Sequence, residues 1–420
     1  MNDPLEIQIE VYGRKARKAT TILSQAASKQ KNAAIEAIAD GIMSGEAELL
    51  SANQRDVEKA KAANLSSAMV DRLTLTPKRI AEMAKGMREI AALHDPVGEN
   101  IKEWTRPNGL TIRKRRVPIG VVAMIYESRP NVTCDAAALC LKTGNACILR
   151  GGSEAFESSK AIVAVIASAL ATAGLPSDSV QIIETTDREA VRLLCEMDSF
   201  VDVIVPRGGH ALIETVTKNA RMPVIKHYHG ICHVFVDRNA NFAMAEKIIL
   251  NAKTQRPSAC NAMETLLVDE VVAPVFLPSM AASLTAVGVD LRGDRQSRHI
   301  VPSMKEATEE DWRTEYLDMI LSVRIVSGVE EAMEHIEQFG SRHSDAIVTE
   351  NMQTAERFLN QVDSATVYWN ASTRFTDGGE FGFGAELGIS TDKLHARGPM
   401  GLEELTTYKY QILGNGQTRA

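Results

Sequence analysis

The sequence has little of several features, and each shortage excludes a class of protein. Aromatic residues make up 5% of its 420 residues, and its most apolar stretch, 161–174, is too short and too rich in alanine to cross a bilayer. The net charge of −7 provides no positive field for nucleic acid. The first residues lack an apolar signal core, and the six cysteines include no Cys-x-x-Cys pair. We therefore expect a cytoplasmic protein without membrane or nucleic-acid partners.

Motifs for nucleotides and metals are also scarce. No Gly-x-Gly-x-x-Gly follows a strand and opens a helix, and there is no Walker A sequence for ATP. The densest group of metal-ligand types contains His227, His229, Cys232 and His233. Because Cys232 and His233 would point to opposite faces of a strand, and no second cluster has zinc-like spacing, the sequence predicts no metal site.

The chain does contain a long alternation of strand and helix patterns. Residues 5–93 show the three- and four-residue apolar spacing of successive helices. Later strands are predicted at 120–125, 146–149, 180–183, 201–205, 224–226, 234–236, 266–268, 345–348 and 366–369. These runs lack polar alternation and are separated by helices, which indicates parallel sheets covered on both faces. The predicted fold class is α/β, with doubly wound domains.

A smaller β element of a different kind is predicted beside these domains. Arg106-Pro107-Asn108-Gly109 is typical of a hairpin turn, because Asn-Gly tolerates the positive φ of a tight turn. Residues 406–413 alternate apolar and polar side chains, as an exposed strand does. The basic run 113–116 follows the hairpin turn, so a solvated strand face or a subunit contact is the favoured explanation for it.

Two glycine turns lie where an α/β sheet binds a dinucleotide. Arg150-Gly151-Gly152-Ser153 follows the strand at 146–149, and Arg207-Gly208-Gly209 follows the strand at 201–205. Each comes at the carboxyl end of a strand and before a helix, where backbone N–H groups and the helix dipole favour phosphate. Arg150 is suited to an adenosine 2′-phosphate, which distinguishes NADPH from NADH. The alternative is that both turns are plain strand-to-helix connectors.

The polar loop 253–261 holds the candidate nucleophile, Cys260, just before the strand at 266–268. Peptide N–H groups and the nearby Arg256 would favour the thiolate form of such a cysteine. The alternative is a buried structural cysteine, and this is what we expect for the other five cysteines, which have more apolar neighbours.

Longer stretches of the chain resemble the glutamyl phosphate reductases, a branch of the aldehyde dehydrogenase fold; they are 142–155, 201–213, 255–268 and 372–391. The resemblance extends over essentially the whole chain. It implies a dinucleotide-binding domain at 1–102 and 119–230 and a nucleophile domain at 231–375. It also implies an oligomerisation arm and C-terminal tail at 103–118 and 376–420, and hence a homo-oligomer. This fold binds its nicotinamide cofactor without the usual glycine fingerprint.

The resemblance implies NADPH-dependent reduction of L-glutamate 5-phosphate to glutamate 5-semialdehyde and phosphate, on the route to proline. We expect a separate glutamate kinase to supply the substrate, since longer relatives fuse that kinase to this domain and no spare length remains here. Cys260 is the implied nucleophile. The resemblance also implies an oxyanion donor for Asn131 and a nicotinamide-ribose contact for Glu315. Because the departing phosphate and the substrate α-carboxylate need cations, we expect Arg256, which is close to Cys260 in sequence, and Arg129 to bind the substrate.

Hydrolytic aldehyde dehydrogenases carry a Glu-Leu-Gly-Gly element whose glutamate activates water. The corresponding positions here are His227-Tyr228-His229-Gly230, which contain no carboxylate, and a reductase must not hydrolyse its acyl-enzyme. Three alternatives stay open: a hydrolytic semialdehyde dehydrogenase, a zinc-dependent histidinol dehydrogenase and a catalytically silent binding subunit. A phosphate requirement in aldehyde oxidation would argue against the hydrolytic enzyme, and the metal content of the purified protein tests the zinc enzyme. A reactive cysteine would argue against the silent subunit.

Overall fold

The computed structural model describes residues 4–226 and 228–419, and the chain divides into two compact units. Among the described residues, the first unit contains 4–226, 382–388 and 400–419, and the second contains 228–381 and 389–399. His227, which belongs both to the predicted histidine cluster and to the segment compared with hydrolytic enzymes, lies outside the described residues.

The described part of the chain alternates helices and strands. In chain order, the helices are α1 Pro4–Leu23, α2 Ser28–Ser44, α3 Glu46–Ala62, α4 Ser67–Leu73, α5 Pro77–Ala92, α6 Pro130–Lys142, α7 Phe156–Thr172, α8 Glu189–Cys195, α9 His210–Asn219, α10 Phe242–Thr254, α11 Ala273–Ala286, α12 Arg295–Ile300, α13 Val329–Phe339 and α14 Met352–Gln361. The strands are β1 Asn100–Thr105, β2 Thr111–Pro118, β3 Val121–Tyr126, β4 Ala146–Gly151, β5 Val180–Ile182, β6 Val203–Arg207, β7 Cys232–Val236, β8 Met263–Asp269, β9 Asp290–Gly293, β10 Lys305–Glu306, β11 Ile320–Val326, β12 Ser344–Val348, β13 Thr366–Trp369, β14 Ile389–Ser390, β15 Gly398–Pro399 and β16 Thr406–Leu413.

The first unit is built on a parallel sheet with the strand order β5-β4-β3-β6. The chain runs from β3 through β4 to β5 on one side and then returns to β6 on the other, so the strand order reverses at β3. Helices α1 to α5 precede this sheet, and their apolar positions Ile35, Ile38 and Ile42 are fully buried. Ligands bind open α/β sheets at such a reversal, outside the carboxyl ends of the strands.

Two expectations for the first unit were wrong. The predicted strand at 224–226 is reduced to an isolated bridge between Val224 and Ile204. The apolar helix is longer than predicted, because a 3₁₀ turn at Ser153–Ala155 continues into α7. The resulting segment, Ser153–Thr172, has 20 residues and satisfies the length and composition of a membrane span, which core helices of α/β proteins also do. Its Ile162, Ile166 and Leu170 are fully buried within this unit.

The second unit contains a parallel sheet with the strand order β10-β9-β11-β8-β7-β12-β13. Its central strands β7 and β8 are buried along their whole length, as expected for strands with helices on both faces. The loop with the candidate nucleophile joins α10 to β8, so it connects to the middle of this sheet. These two sheets confirm the predicted α/β fold class.

The smaller β element is an antiparallel sheet with the order β1-β2-β16. Thr105 pairs with Thr111 across the predicted turn, where Gly109 has a φ of 85°. The basic run lies in β2, where Arg113 pairs with Glu103 at 2.6 Å, which confirms that it occupies a strand. On β16, Tyr408, Tyr410 and Ile412 are largely exposed.

Candidate active site

The two predicted glycine turns meet at one edge of the first unit's sheet. Tyr126, the last residue of β3, pairs with Gly151 on one side and with Arg207 on the other. The segments 150–153 and 207–209 therefore both lie at the carboxyl ends of strands where the strand order reverses. This is the edge at which an α/β sheet is expected to bind a nucleotide.

Arg150 does not present its guanidinium to a cofactor phosphate as expected. The residue is only 8% exposed. Its Nη1 donates to the carbonyl of Gly151 at 2.7 Å, and its Nη2 donates to the carbonyls of Thr186 and Asp187 at 3.1 and 3.2 Å. Burial lowers the pKa of this side chain. Arg150 thus supports the loop between β5 and α8, and that loop continues to the exposed Arg188.

Two carboxylates that the sequence analysis missed lie against the glycine turns. Glu127 accepts the N–H of Gly209 at 2.9 Å, so the first backbone donor before α9 is already paired. A Cβ at Gly208 would lie 2.4 Å from the Glu127 carboxylate, and one at Gly152 would lie 2.2 Å from the Glu154 carboxylate. A side chain at either glycine would make its neighbouring carboxylate move, and a phosphate at the Gly209 N–H would have to displace Glu127.

Two of the predicted substrate and oxyanion residues lie at the start of α6, in the first unit. Arg129 directly precedes the helix, and Asn131 lies in its first turn. The Asn131 amide donates to the carboxylate of Asp135 at 3.2 Å. Burial raises the pKa of Asp135 to about 6, against the lowering effect of this hydrogen bond. Cys260 belongs to the second unit.

Cys260 differs from the other five cysteines in its exposure. It is partly exposed, whereas Cys134, Cys140, Cys147, Cys195 and Cys232 are buried. Burial raises the pKa of Cys195 to about 11 and that of Cys134 and Cys232 well above the ordinary value, which keeps those thiols protonated near neutral pH. The structure therefore leaves Cys260 as the cysteine that solvent and a small substrate can reach.

The backbone of Cys260 lies unusually close to the segment before β7. A Cβ at Gly230 would be 1.8 Å from the Cys260 carbonyl oxygen and 2.6 Å from its Cα. The buried thiol of Cys232 donates to the same carbonyl at 3.3 Å. Gly230 and Cys232 thus fix the peptide of Cys260, a role that the sequence alone did not reveal.

A buried ion pair joins the two ends of the nucleophile loop. Lys253 lies in the last turn of α10 and Glu264 is the second residue of β8; their Nζ and Oε2 atoms are 2.6 Å apart, and both side chains are almost fully buried. Burial lowers the pKa of Lys253 and raises that of Glu264 to about 7. Glu264 also accepts the N–H of Leu317 at 3.2 Å. The same pair therefore holds the segment of Glu315, whose carboxylate lies 3.6 Å from Nδ1 of His229.

Arg374 lies in a turn next to the loop of Cys260, and the sequence analysis did not single it out. It lies in a 3₁₀ turn, Thr373–Phe375, that is anchored to the residue after Cys260. Thr373 Oγ1 donates to the carbonyl of Asn261 at 2.7 Å, and the Asn261 amide donates to the carbonyl of Thr376 at 2.8 Å. Arg374 is the one basic residue in 372–391, so this block was the signal that could have identified it.

The geometry offers no metal centre within the ranges described. There, no group of three or more histidine, cysteine, aspartate or glutamate side chains is arranged to hold a metal ion.

Comparisons with known proteins agree with this architecture. The model of the aldehyde dehydrogenase family matches residues 6–310. The gamma-glutamyl phosphate reductase of Moorella thermoacetica is 58% identical over 419 residues, or 100% of both chains. The crystal structure of the gamma-glutamyl phosphate reductase of Thermotoga maritima has a TM-score of 0.97 at 48% identity, covering 98% of this chain and 100% of that one. An engineered glycolyl-CoA reductase with bound NADP⁺ shares the fold, with a TM-score of 0.67 at 16% identity, and covers 96% of each chain. The chain belongs to the aldehyde dehydrogenase family and, within it, to the gamma-glutamyl phosphate reductases.

Proposed function

We propose that this enzyme reduces L-glutamate 5-phosphate to L-glutamate 5-semialdehyde and phosphate with NADPH, the second step from glutamate to proline. The observation that carries the proposal is the partly exposed Cys260 on a loop fixed by Gly230, Cys232 and the buried pair Lys253–Glu264. The full-length relatives with this name support the substrate.

The reaction begins at the sulfur of Cys260. Its thiolate attacks the carbonyl carbon of the acyl phosphate, the C–O bond to phosphate breaks, and phosphate leaves with the bonding electrons. A bound reduced nicotinamide supplies a hydride to the resulting thioester. The thiohemiacetal oxyanion then expels the thiolate and releases the aldehyde. The backbone N–H of Cys260 is the proposed oxyanion donor, a contact worth about 3 kcal/mol, and Asn131 is a second candidate.

The residues of the first unit fit a dinucleotide at the edge formed by β3, β4 and β6. Glycines 151, 152, 208 and 209 add no side chains of their own to this edge, where the carboxylates of Glu127 and Glu154 lie against the turns. For NADPH, we propose that Arg188, on the loop supported by Arg150, meets the 2′-phosphate. Glu315 is the proposed contact of the nicotinamide ribose, because its carboxylate can accept ribose hydroxyls. Residues 4–226 thus form the proposed cofactor domain and the second unit the catalytic domain.

The partners that fit this function are small and few. A separate glutamate kinase is the proposed source of the unstable acyl phosphate. The exposed sheet β1-β2-β16 is the proposed oligomerisation arm of a homo-oligomer, because its apolar residues lack cover in the described chain. A biosynthetic role of this kind places the enzyme in the cytoplasm.

The function is tested by substituting Cys260. Cofactor oxidation is followed with the acyl phosphate made in place by glutamate kinase and ATP. Cys260→Ala is expected to abolish turnover, because no nucleophile is left, while Cys195→Ala, at a buried thiol, leaves it nearly intact. NADP⁺ formation by the Cys260→Ala enzyme would refute the thioester mechanism.

The reverse reaction separates a reductase from a hydrolytic dehydrogenase. Oxidation of glutamate 5-semialdehyde is expected to require inorganic phosphate, since only phosphate can release the acyl group when no carboxylate activates water. Oxidation at the same rate without phosphate would favour the hydrolytic alternative instead.

A further inference from the structure

We propose that Arg374 binds the phosphoryl group of the substrate and thereby makes the enzyme specific for an acyl phosphate. This inference rests on the proposed function, and it assigns the leaving-group site to a residue of the 3₁₀ turn after β13.

The turn is attached to the nucleophile loop on both sides of Cys260. Arg374 Nε donates to Oε1 of Gln255 at 2.8 Å, five residues before Cys260. On the other side, the side chain of Asn261 donates to the carbonyls of Arg374 and Thr376 at 3.3 and 2.8 Å. These hydrogen bonds hold the turn of Arg374 against residues on either side of Cys260.

The charges around Arg374 favour an added anion. In the described residues, Nε is the atom of this guanidinium that makes a hydrogen bond, so both terminal nitrogens keep their donors. Burial and the positive charge of Arg256 lower the pKa of Arg374, while Cys260 and Asp377 oppose that change. The Asp377 carboxylate already accepts the N–H groups of Gly379 and Glu380 at 2.9 and 3.3 Å. Within the described ranges, neither Arg374 nor Arg256 has a hydrogen-bonded carboxylate, and arginine stays charged even when its pKa falls.

The chemistry decides which substrate anion belongs there. The phosphoryl oxygen is bonded directly to the carbon that Cys260 attacks, whereas the α-carboxylate is four carbons away. A cation held against both ends of the nucleophile loop therefore meets the phosphoryl group. Its two free nitrogens match two phosphate oxygens, and they stabilise the charge that grows on phosphate as the C–O bond breaks. Arg256, which is more exposed than Arg374, is then available to the α-carboxylate or to a further phosphate oxygen.

The reverse reaction tests this assignment, because there the two anions arrive on separate molecules. Arg374→Gln is expected to raise the KM for inorganic phosphate about 10- to 100-fold, the value of a lost charge-assisted contact, and to change the KM for glutamate 5-semialdehyde less than about twofold. Arg374→Lys, which keeps the charge but not the fork, should fall between. Arg298→Gln, which removes an exposed arginine paired with Glu306, is the matched control. An unchanged phosphate KM, or a rise in the semialdehyde KM instead, would overturn the assignment.

A second measurement does not depend on the proposed reaction. Cys260 is alkylated with anionic iodoacetate and with neutral iodoacetamide, and the ratio of the two rates is compared between enzymes. Arg374→Gln should lower this ratio several-fold, because the cation that attracts the anionic reagent is gone. Failure of the enzyme to show phosphate-dependent oxidation would overturn the proposed function. An unchanged ratio of the two alkylation rates in Arg374→Gln would instead overturn the anion site at Arg374.

Discussion

At the scale of single residues, Gly230 sets the backbone geometry of Cys260, the proposed nucleophile. Position 230 has no room for a side chain, because the carbonyl of Cys260 lies where a Cβ would be. The same carbonyl is held by the thiol of Cys232. At this scale, the sequence contributes a glycine whose importance appears only when its neighbour in space is known.

Gly230→Ala is therefore expected to reduce kcat by more than 100-fold, because a methyl group would push the Cys260 peptide out of place. Gly86→Ala is the control: nothing lies within 4 Å of its Cβ position, and in the helix α5 it should stabilise by about 0.5–1 kcal/mol. Circular dichroism checks that both variants fold, and steady-state kinetics compares them. Wild-type activity in the folded Gly230→Ala enzyme would contradict the close approach of Gly230 to the carbonyl of Cys260.

At the scale of elements, connecting segments position the site more than regular elements do. The loop 255–261 is closed by Lys253 and Glu264, and the segment 311–317 is fixed by hydrogen bonds to Asp311. Asp311 accepts the hydroxyl of Tyr316 at 2.7 Å, the N–H of Thr308 at 2.7 Å and the guanidinium of Arg292 at 2.5 Å. Tyr316 neighbours Glu315, so this network holds the proposed ribose contact.

Asp311 should make stability depend on pH at the acid end. Burial favours its neutral form, but the hydrogen bonds from Thr308, Arg292 and Tyr316 lower its pKa to about 2, from 3.8. Its contribution is therefore present above about pH 4 and is lost as pH falls through about 2. Asp311→Asn should lower the free energy of unfolding by about 2 kcal/mol at pH 7, and the difference from the unchanged protein should shrink below pH 4.

Urea denaturation at several pH values measures this difference. Asp290→Asn, which removes an exposed ion pair with Lys305, is the control and should lower the free energy of unfolding by less than about 1 kcal/mol. A constant difference between the Asp311→Asn and unchanged proteins down to pH 3 would mean that the carboxylate is not specially stabilised.

At the scale of the whole molecule, the exposed sheet β1-β2-β16 is the feature that indicates a subunit contact. One face of β16 carries Tyr408, Tyr410 and Ile412, with exposed fractions of 47%, 53% and 61%. The ring of Trp104 on β1 lies 6.3 Å from that of Tyr410, so the apolar surface continues across the sheet. A surface of this composition fits a second copy of the chain.

Ile412→Glu is expected to break the proposed homo-oligomer into smaller species, because it would bury a carboxylate in an apolar contact. Gln411→Glu introduces the same charge on the opposite face of the strand and should leave the mass unchanged. Light scattering after size exclusion gives the masses. Equal masses for both variants would show that this face is not the subunit contact.

The sequence by itself determined the α/β class, the hairpin and the two sheets, because apolar periodicity depends on residues close together in the chain. It also located the glycine turns and the loop of Cys260. The strand predicted at 224–226 shows the limit of local patterns. An isolated bridge between Val224 and Ile204 forms there instead, because strand pairing depends on which neighbouring strand is available.

Only the tertiary structure decided what each side chain meets. It turned Arg150 towards backbone carbonyls, placed Glu127 on the N–H of Gly209, and joined the turn of Arg374 to Asn261, more than a hundred residues earlier. Such contacts depend on how distant segments pack, and a local pattern of residues does not contain that information.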